Sequence, residues 1–154
     1  MSTPLRSIAI AGAWGYIGRK ILDAALKRGL RVWVYDPGPI PADLDPRAVT
    51  RLLDESSFYD LDVDLFHLAL HPEARDTAQR RLLQRGASET LFVLNEKPIV
   101  PPARPQDAPP LLEAVERSRV VMLYDFPELF DPLTHRITEY LRRFHRIEIS
   151  SMVV

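Results

Sequence analysis

The sequence predicts an α/β protein built on a doubly wound parallel sheet, and three observations carry that expectation. Short apolar runs alternate with amphipathic stretches along nearly the whole chain, which is the rhythm of successive βα units. The first apolar run, Ile8-Ala9-Ile10-Ala11, enters the glycine-rich turn Gly12-Ala13-Trp14-Gly15-Tyr16-Ile17-Gly18 ahead of a helical pattern. The residues whose chemistry stands out, Gly12, Asp36, His71, Lys97 and Asp125, fall at the carboxyl ends of expected strands, where open α/β sheets bind ligands.

Each element has its own signal. Ser7–Ala11 is apolar and bounded by glycine, as a strand buried on both faces should be. Over Tyr16–Arg28, Ile17, Ile21 and Ala25 recur every four residues beside Leu22 and Leu26, and Gly29 follows as a stop. Arg31–Tyr35 reads as the second strand, closed by Asp36. Pro37-Gly38-Pro39-Ile40-Pro41 breaks regular structure, and Pro46–Leu53 has the makings of a short helix. Val63–Leu70 reads as a buried strand, and Pro72–Arg85 as a helix with Ala74, Ala78, Leu82 and Leu83 inward and Gly86 as cap. A strand over Thr90–Asn95, a helix over Pro109–Arg117, a strand over Val120–Tyr124 and a helix over Pro132–Arg143 complete the alternation. Between them, Pro98–Pro110 holds six prolines in thirteen residues and is expected to be a stiff polyproline-like connector.

Composition bounds the function. A chain of 154 residues, 46% hydrophobic and 27% charged, is the size of one domain with one proper core. A net charge of -1 leaves no basic footprint for nucleic acid. No apolar run approaches the roughly 20 residues that span a bilayer, and the amino terminus lacks the pattern of a signal peptide, so a cytoplasmic protein with no membrane partner is expected. Without cysteine there is no thiol nucleophile or thiolate metal site, and no histidine or carboxylate cluster has metal spacing. No metal is expected.

The glycine turn is the place for a dinucleotide. Its glycines read either as Gly12-x-x-Gly15-x-x-Gly18 or as a G-x-G-x-x-G fingerprint with Ala13 in the first position, and spacing does not choose between them. In both readings Gly15 lets backbone approach a phosphate and Gly18 lets the helix pack close to the strand. Gly12, Ala13, Trp14, Gly15, Tyr16 and Ile17 are the expected cofactor contacts, although packing on the loop is the plainer role for the Trp14 indole. Asp36, 18 residues beyond Gly18, is placed to accept ribose hydroxyls. Its charge would repel a 2′-phosphate, and Pro37, Gly38 and Pro39 supply no cation to receive one. NAD is therefore expected over NADP.

Lys97 follows the run Thr90-Leu91-Phe92-Val93-Leu94-Asn95-Glu96, so its ammonium should emerge at the ligand edge of the sheet. There it could orient a substrate hydroxyl or assist proton transfer. The fingerprint taken with Glu96-Lys97-Pro98 resembles the amino-terminal domain of the glucose–fructose oxidoreductase and inositol dehydrogenase family, Gfo/Idh/MocA, over about residues 7–150. The resemblance implies a Rossmann-like domain in which the lysine of Glu-Lys-Pro contacts substrate and nicotinamide. That makes Lys97 the catalytic candidate and adds Glu96, Leu70 and His71 to the cofactor side. Phe126, Phe130 and Pro132 match the family's stretch after the sixth strand, while Asp125 stands where Asn is common and Leu129 where Arg is common. Dihydrodipicolinate reductases share an opening of this glycine-rich kind but do not account for Glu96-Lys97-Pro98.

The function so implied is an NAD-dependent sugar or polyol dehydrogenase acting on CH–OH groups, of which residues 1–154 would be the cofactor-binding domain. Family members carry a second, substrate-binding domain that supplies an Asp…His pair and the dimer interface. Residues from about 144 onward would be its start, and a homo-oligomer is expected of the full-length form. The alternative is a non-catalytic regulator that senses a dinucleotide through the same fold.

The remaining polar candidates read as structural. A lone histidine within a buried strand, His67, is expected to be a core residue. His71 is divided between a turn role and the cofactor. His135 and His145 join a solvated basic face, and Arg75, Arg80, Arg81 and Arg85 are expected on the surface of one helix.

Overall fold

The computed structural model describes residues 4–126 and 131–144. Strands β1 (Ser7–Ala11), β2 (Arg31–Tyr35), β3 (Thr50–Arg51), β4 (Leu65–Leu68), β5 (Leu91–Glu96) and β6 (Val120–Asp125) form one sheet. Their order is β3-β2-β1-β4-β5-β6, and every neighbouring pair is parallel. Helices α1 (Tyr16–Lys27), α2 (Glu55–Tyr59), α3 (Pro72–Arg85), α4 (Ala108–Arg117) and α5 (Pro132–Leu141) lie between and after them. This is the Rossmann-like doubly wound architecture expected from the βα rhythm. The strand order reverses between β1 and β4, and that switch point is where such sheets open a crevice for ligands.

Strand β1 shows why the sheet is wound on both faces. Ile8 and Ile10 enter one core with Leu22 and Ala25 of α1 and Val32 and Val34 of β2. Ala9 and Ala11, pointing the other way, enter a second core with Phe58, Phe66, Leu68, Ala78, Leu82 and Leu111. Two-sided burial favours apolar side chains, so Ile8–Ala11 reads as a continuous apolar run rather than an alternating one. Helix α1 ends where Gly29 takes φ 69°, a conformation that costs glycine little. The Leu30 N–H then returns to the Ala25 carbonyl at 3.1 Å.

Several boundaries differ from the sequence reading. Pro46–Leu53 is not a helix. Asp45 caps a single 3-10 turn, Pro46–Ala48, by accepting the Arg47 N–H at 3.0 Å. The β-branched pair Val49-Thr50 then runs extended, and Thr50 and Arg51 pair with Trp33 and Val34 as an edge strand. Helix α2 went unread, although Asp54 announces it by accepting the Ser57 N–H at 2.9 Å. Strand β4 is shorter than Val63–Leu70 because Asp64 turns back to accept the Arg6 and Ser7 N–H groups at 2.8 and 2.9 Å. The proline-rich stretch is only partly a connector. Val100 is buried and Ile99 packs on the core, Pro105–Asp107 forms a 3-10 turn, and Pro109 and Pro110 sit in the first turn of α4.

The largest correction concerns α3. Its inward face holds Arg75, Asp76, Ala78, Gln79, Leu82 and Leu83, while Ala74 is exposed. Arg75, expected at the surface, is only 2% exposed. Arg85 also turns inward in part, donating to the Tyr59 and Leu61 carbonyls at 2.6 Å each. His67 is fully buried, as a core histidine should be, and His135 is exposed. His145, Leu129 and Phe130 lie outside the described residues, as does the proposed start of a second domain beyond Phe144.

Candidate functional site

The glycine turn resolves into three distinct roles. Gly12 takes φ 78°, and a Cβ there would lie 2.3 Å from the Ala69 carbonyl oxygen, so the tight turn out of β1 belongs to Gly12. Ala13 has an ordinary backbone conformation and packs its methyl into the core with Leu22 and Val34. Of the two readings of the motif, the geometry selects Gly12-x-x-Gly15-x-x-Gly18. A Cβ on Gly18 would lie 2.1 Å from the Gly12 oxygen and 2.8 Å from Ala13 Cα, so α1 can approach the strand only with glycine there. A Cβ on Gly15 would meet nothing nearer than 3.4 Å. Packing inside the protein does not require that glycine, and the space beside it faces outward.

Gly15 is also the N-cap of α1, and it provides no side-chain hydrogen bond to the helix. No acidic residue lies in the first turn. The opening N–H groups of α1 therefore lack the side-chain acceptor that commonly satisfies them, and the positive end of the helix dipole is open to an anion. Tyr16 and Ile17 are exposed on this first turn, and the Tyr16 hydroxyl accepts from Lys20 Nζ at 2.8 Å. The lysine holds the phenol below its ordinary pKa.

Asp36 sits beside the turn, at the end of β2. One carboxylate oxygen accepts the Trp14 N–H at 3.0 Å and the other accepts the Gly38 N–H at 2.9 Å. The Trp14 indole packs against the α1-side core, and its Nε1 is buried without a partner. Sequence reasoning found no cation near Asp36, but β3 brings one. Arg51 Nη2 donates to the Asp36 and Gly38 carbonyl oxygens at 3.3 and 2.8 Å. The local sequence carries little signal for it beyond the β-branched pair Val49-Thr50 that leads into this edge strand.

On the other side of the switch point, Leu70 and His71 follow β4, and His71 is the exposed N-cap of α3. Beside them, β5 ends in Asn95 and Glu96, followed by the exposed Lys97 and a cis Lys97–Pro98 peptide. Lys97 and Phe126 border an apolar pocket of about 530 Å³ walled by Pro98, Ile99, Val100 and Pro102. The sheet thus brings Gly15, Asp36, His71 and Lys97, scattered along the chain, to one rim.

Beneath Lys97 lies a polar layer that the sequence did not announce. Arg75 Nη1 donates to the Leu70 carbonyl at 3.0 Å, and Nη2 donates to the Pro98 carbonyl. Gln79 Nε2 donates to the Ile99 carbonyl at 3.2 Å and to Asp76 at 3.1 Å. The Gln79 carbonyl accepts from Asn95 Nδ2 at 2.6 Å. Burial raises the Glu96 pKa, helped by the Asp125 charge and opposed by Arg75 and Lys97. His67 Nε2 is 3.8 Å from Glu96 Oε1, and neither atom has a hydrogen-bond partner. Burial pushes His67 down to about 4, with the Leu94 backbone opposing, so the imidazole is neutral.

No family model matches the chain, and no curated protein matches it in sequence. Solved structures do match in fold. A candidate oxidoreductase from Magnetospirillum magnetotacticum superposes with a TM-score of 0.70 at 20% identity, over 91% of this chain and 44% of that one. UDP-N-acetylglucosamine 3-dehydrogenase from Acidithiobacillus ferrooxidans gives 0.64 at 14% identity, over 90% and 44%. A D-isomer specific 2-hydroxyacid dehydrogenase from Lactobacillus delbrueckii ssp. bulgaricus, solved as its NAD complex, gives 0.56 at 17% identity, over 78% and 35%. The chain spans less than half the length of each of these proteins, and the likeness establishes its fold.

Proposed function

We propose that this chain is the cofactor-binding domain of an NAD-dependent oxidoreductase that acts on CH–OH groups of a sugar or polyol, in the manner of the Gfo/Idh/MocA family. The observation that carries the reading is the uncapped first turn of α1 beside Gly15, with Asp36 on its flank and Lys97 across the switch point. Gly15 leaves space where a phosphate would approach the opening N–H groups of α1. Asp36 keeps lone pairs beyond those used by Trp14 and Gly38, and these would accept ribose hydroxyls. Leu70 and His71, which follow β4, would line the cofactor's path between these residues and Lys97.

Bound NAD would supply a hydride acceptor. The protein's own contribution is to hold and orient. Lys97 would direct its ammonium at the substrate oxygen and so hold the hydroxyl, while a base of the substrate-binding domain takes the carbinol proton. The dehydrogenases that share the fold are consistent with this chemistry. The partner is a small molecule, the setting is cytoplasmic, and the full-length form would be a homo-oligomer. Among the described residues no helix is long and apolar enough to cross a membrane.

The direct test is to titrate NADH and NADPH against the chain while following tryptophan emission. Saturable quenching that is tighter with NADH supports the assignment of Gly15 and Asp36. Absence of saturation with both would remove the cofactor reading.

A further inference from the structure

We propose that Arg75 is a positioning residue that fixes Lys97, by tying the end of β5 to the end of β4 across the fork where the two strands part. The proposal deepens the oxidoreductase reading and rests on it for the role of Lys97. Strands β4 and β5 are paired up to Leu68 and Asn95, after which their chains diverge, one toward His71 and α3 and the other toward Lys97 and Pro98. Arg75 fills the gap from below. Its guanidinium donates to the carbonyl of Leu70, which precedes His71, and to the carbonyl of Pro98, which follows Lys97. One side chain thereby sets the spacing between the expected cofactor wall and the expected substrate lysine.

The chemistry suits arginine. A planar fork of N–H groups can reach two carbonyls on different segments at once, which a single ammonium does less well. At 2% exposure the cation has left water, and the charge that faces it from β5 is the Glu96 carboxylate. Two further bonds from the same face of the helix hold the loop that follows. Gln79 bonds the Ile99 carbonyl, and Arg104 reaches back to Asp76 at 3.2 Å. Of these three side chains, Arg75 is the one that bonds a residue adjoining Lys97.

The chain's three lysines, Lys20, Lys27 and Lys97, make the test tractable. Reductive dimethylation with carbon-13 keeps the lysine charge and gives each residue a distinct NMR reporter, assigned by substitution. In the unsubstituted chain, saturating NADH should move the Lys97 signal. In Arg75→Met, NADH should still bind within about threefold of the original affinity, while the Lys97 signal should cease to respond. Arg75→Lys, which keeps the charge and one bond, should recover part of the response. An undiminished response in Arg75→Met overturns the proposal. If that variant fails to fold, Arg75→Lys decides, because a full response there overturns the clamp and a partial one supports it.

If NADH does not bind the unsubstituted chain, the cofactor reading fails, and amide hydrogen exchange of the ligand-free protein judges the clamp alone. Exchange around residues 69–71 and 97–100 should then rise at least about tenfold in the Arg75 variants with β1 and β2 unchanged. Unchanged exchange at both places overturns it.

Discussion

The Asp36 carboxylate and the Trp14 backbone N–H are hydrogen-bonded at 3.0 Å, so the end of β2 is tied to the glycine turn that follows β1. The same carboxylate accepts the Gly38 N–H. One side chain therefore shapes both loops that border the expected adenosine end of the cleft, while Arg51 holds the Asp36 and Gly38 carbonyls from behind. Asp36→Ala should lower stability by about 1–2 kcal/mol in urea unfolding, since charged acceptors of N–H groups contribute on that scale. It should weaken NADH about tenfold and NADPH less, because the repelling charge is gone and the Arg51 cation stays. Asp36→Asn, which keeps one acceptor oxygen, should retain most of the stability.

Gly15 and Gly18 should part ways on substitution. Gly18→Ala drives a methyl into the Gly12 oxygen and Ala13 Cα, both backbone atoms that cannot turn aside, and should cost about 3 kcal/mol of stability. Gly15→Ala meets no close atom, and φ -68°, ψ 165° suits any residue. Its stability should stay within about 0.5 kcal/mol of the original. Its NADH affinity should nevertheless fall about tenfold, because the methyl occupies the space next to the helix terminus. Urea midpoints and NADH titrations on the pair separate the structural glycine from the binding one.

His67 gives the fold an acid-sensitive contribution. Its pKa is near 4 in the folded chain against 6.5 in the unfolded one, so the unfolded state takes up more protons between those values. The stability associated with the neutral imidazole is complete above about pH 6.5 and declines as pH falls toward 4, by about 3 kcal/mol in all. Glu96 acts in the opposite sense. Its raised pKa means that the folded state takes up a proton first, so acid stabilises the fold through that group. His67→Leu removes the buried imidazole and should flatten the loss between pH 7 and pH 5, measured by urea unfolding at each pH. An unchanged slope would mean that His67 is solvated in the folded chain.

Lys97→Ala, made in a full-length protein carrying this domain, should lower turnover at least about a hundredfold while leaving NADH affinity within about threefold. Steady-state rates and cofactor titration measure the two separately. A loss confined to NADH affinity would assign Lys97 to cofactor binding alone.

What the sequence disclosed depended on whether a residue's role was local. The glycine turn, α1, β2 and the start of α3 at Pro72 were legible because periodicity, glycine and proline act on their own segments. Strand β3 was not, because two residues on a sheet edge acquire their strand character from β2 rather than from their own pattern. Arg75 was misread for a related reason. Charge argues for the surface on average, and only the meeting of Leu70 and Pro98, 28 residues apart, gives a guanidinium two acceptors in the interior. Arg51 likewise becomes a neighbour of Asp36 only through the sheet. The expected rim of Gly15, Asp36, His71 and Lys97 was readable as strand ends, whereas the layer that supports it was not.

Helix α3 is pinned at both ends. Near its start, Arg75 is bolted to two loops. At its finish, Gly86 passes so close to β6 that a Cβ would lie 2.2 Å from Val120 Cγ2, while Arg85 grips carbonyls at the end of α2 and just beyond it. A rod fixed in this way can neither slide along its axis nor swing away from the sheet without breaking one anchor. Any widening of the cleft to admit a ligand must therefore come from the glycine turn, with α3 and the loop it holds after Lys97 serving as the stationary frame.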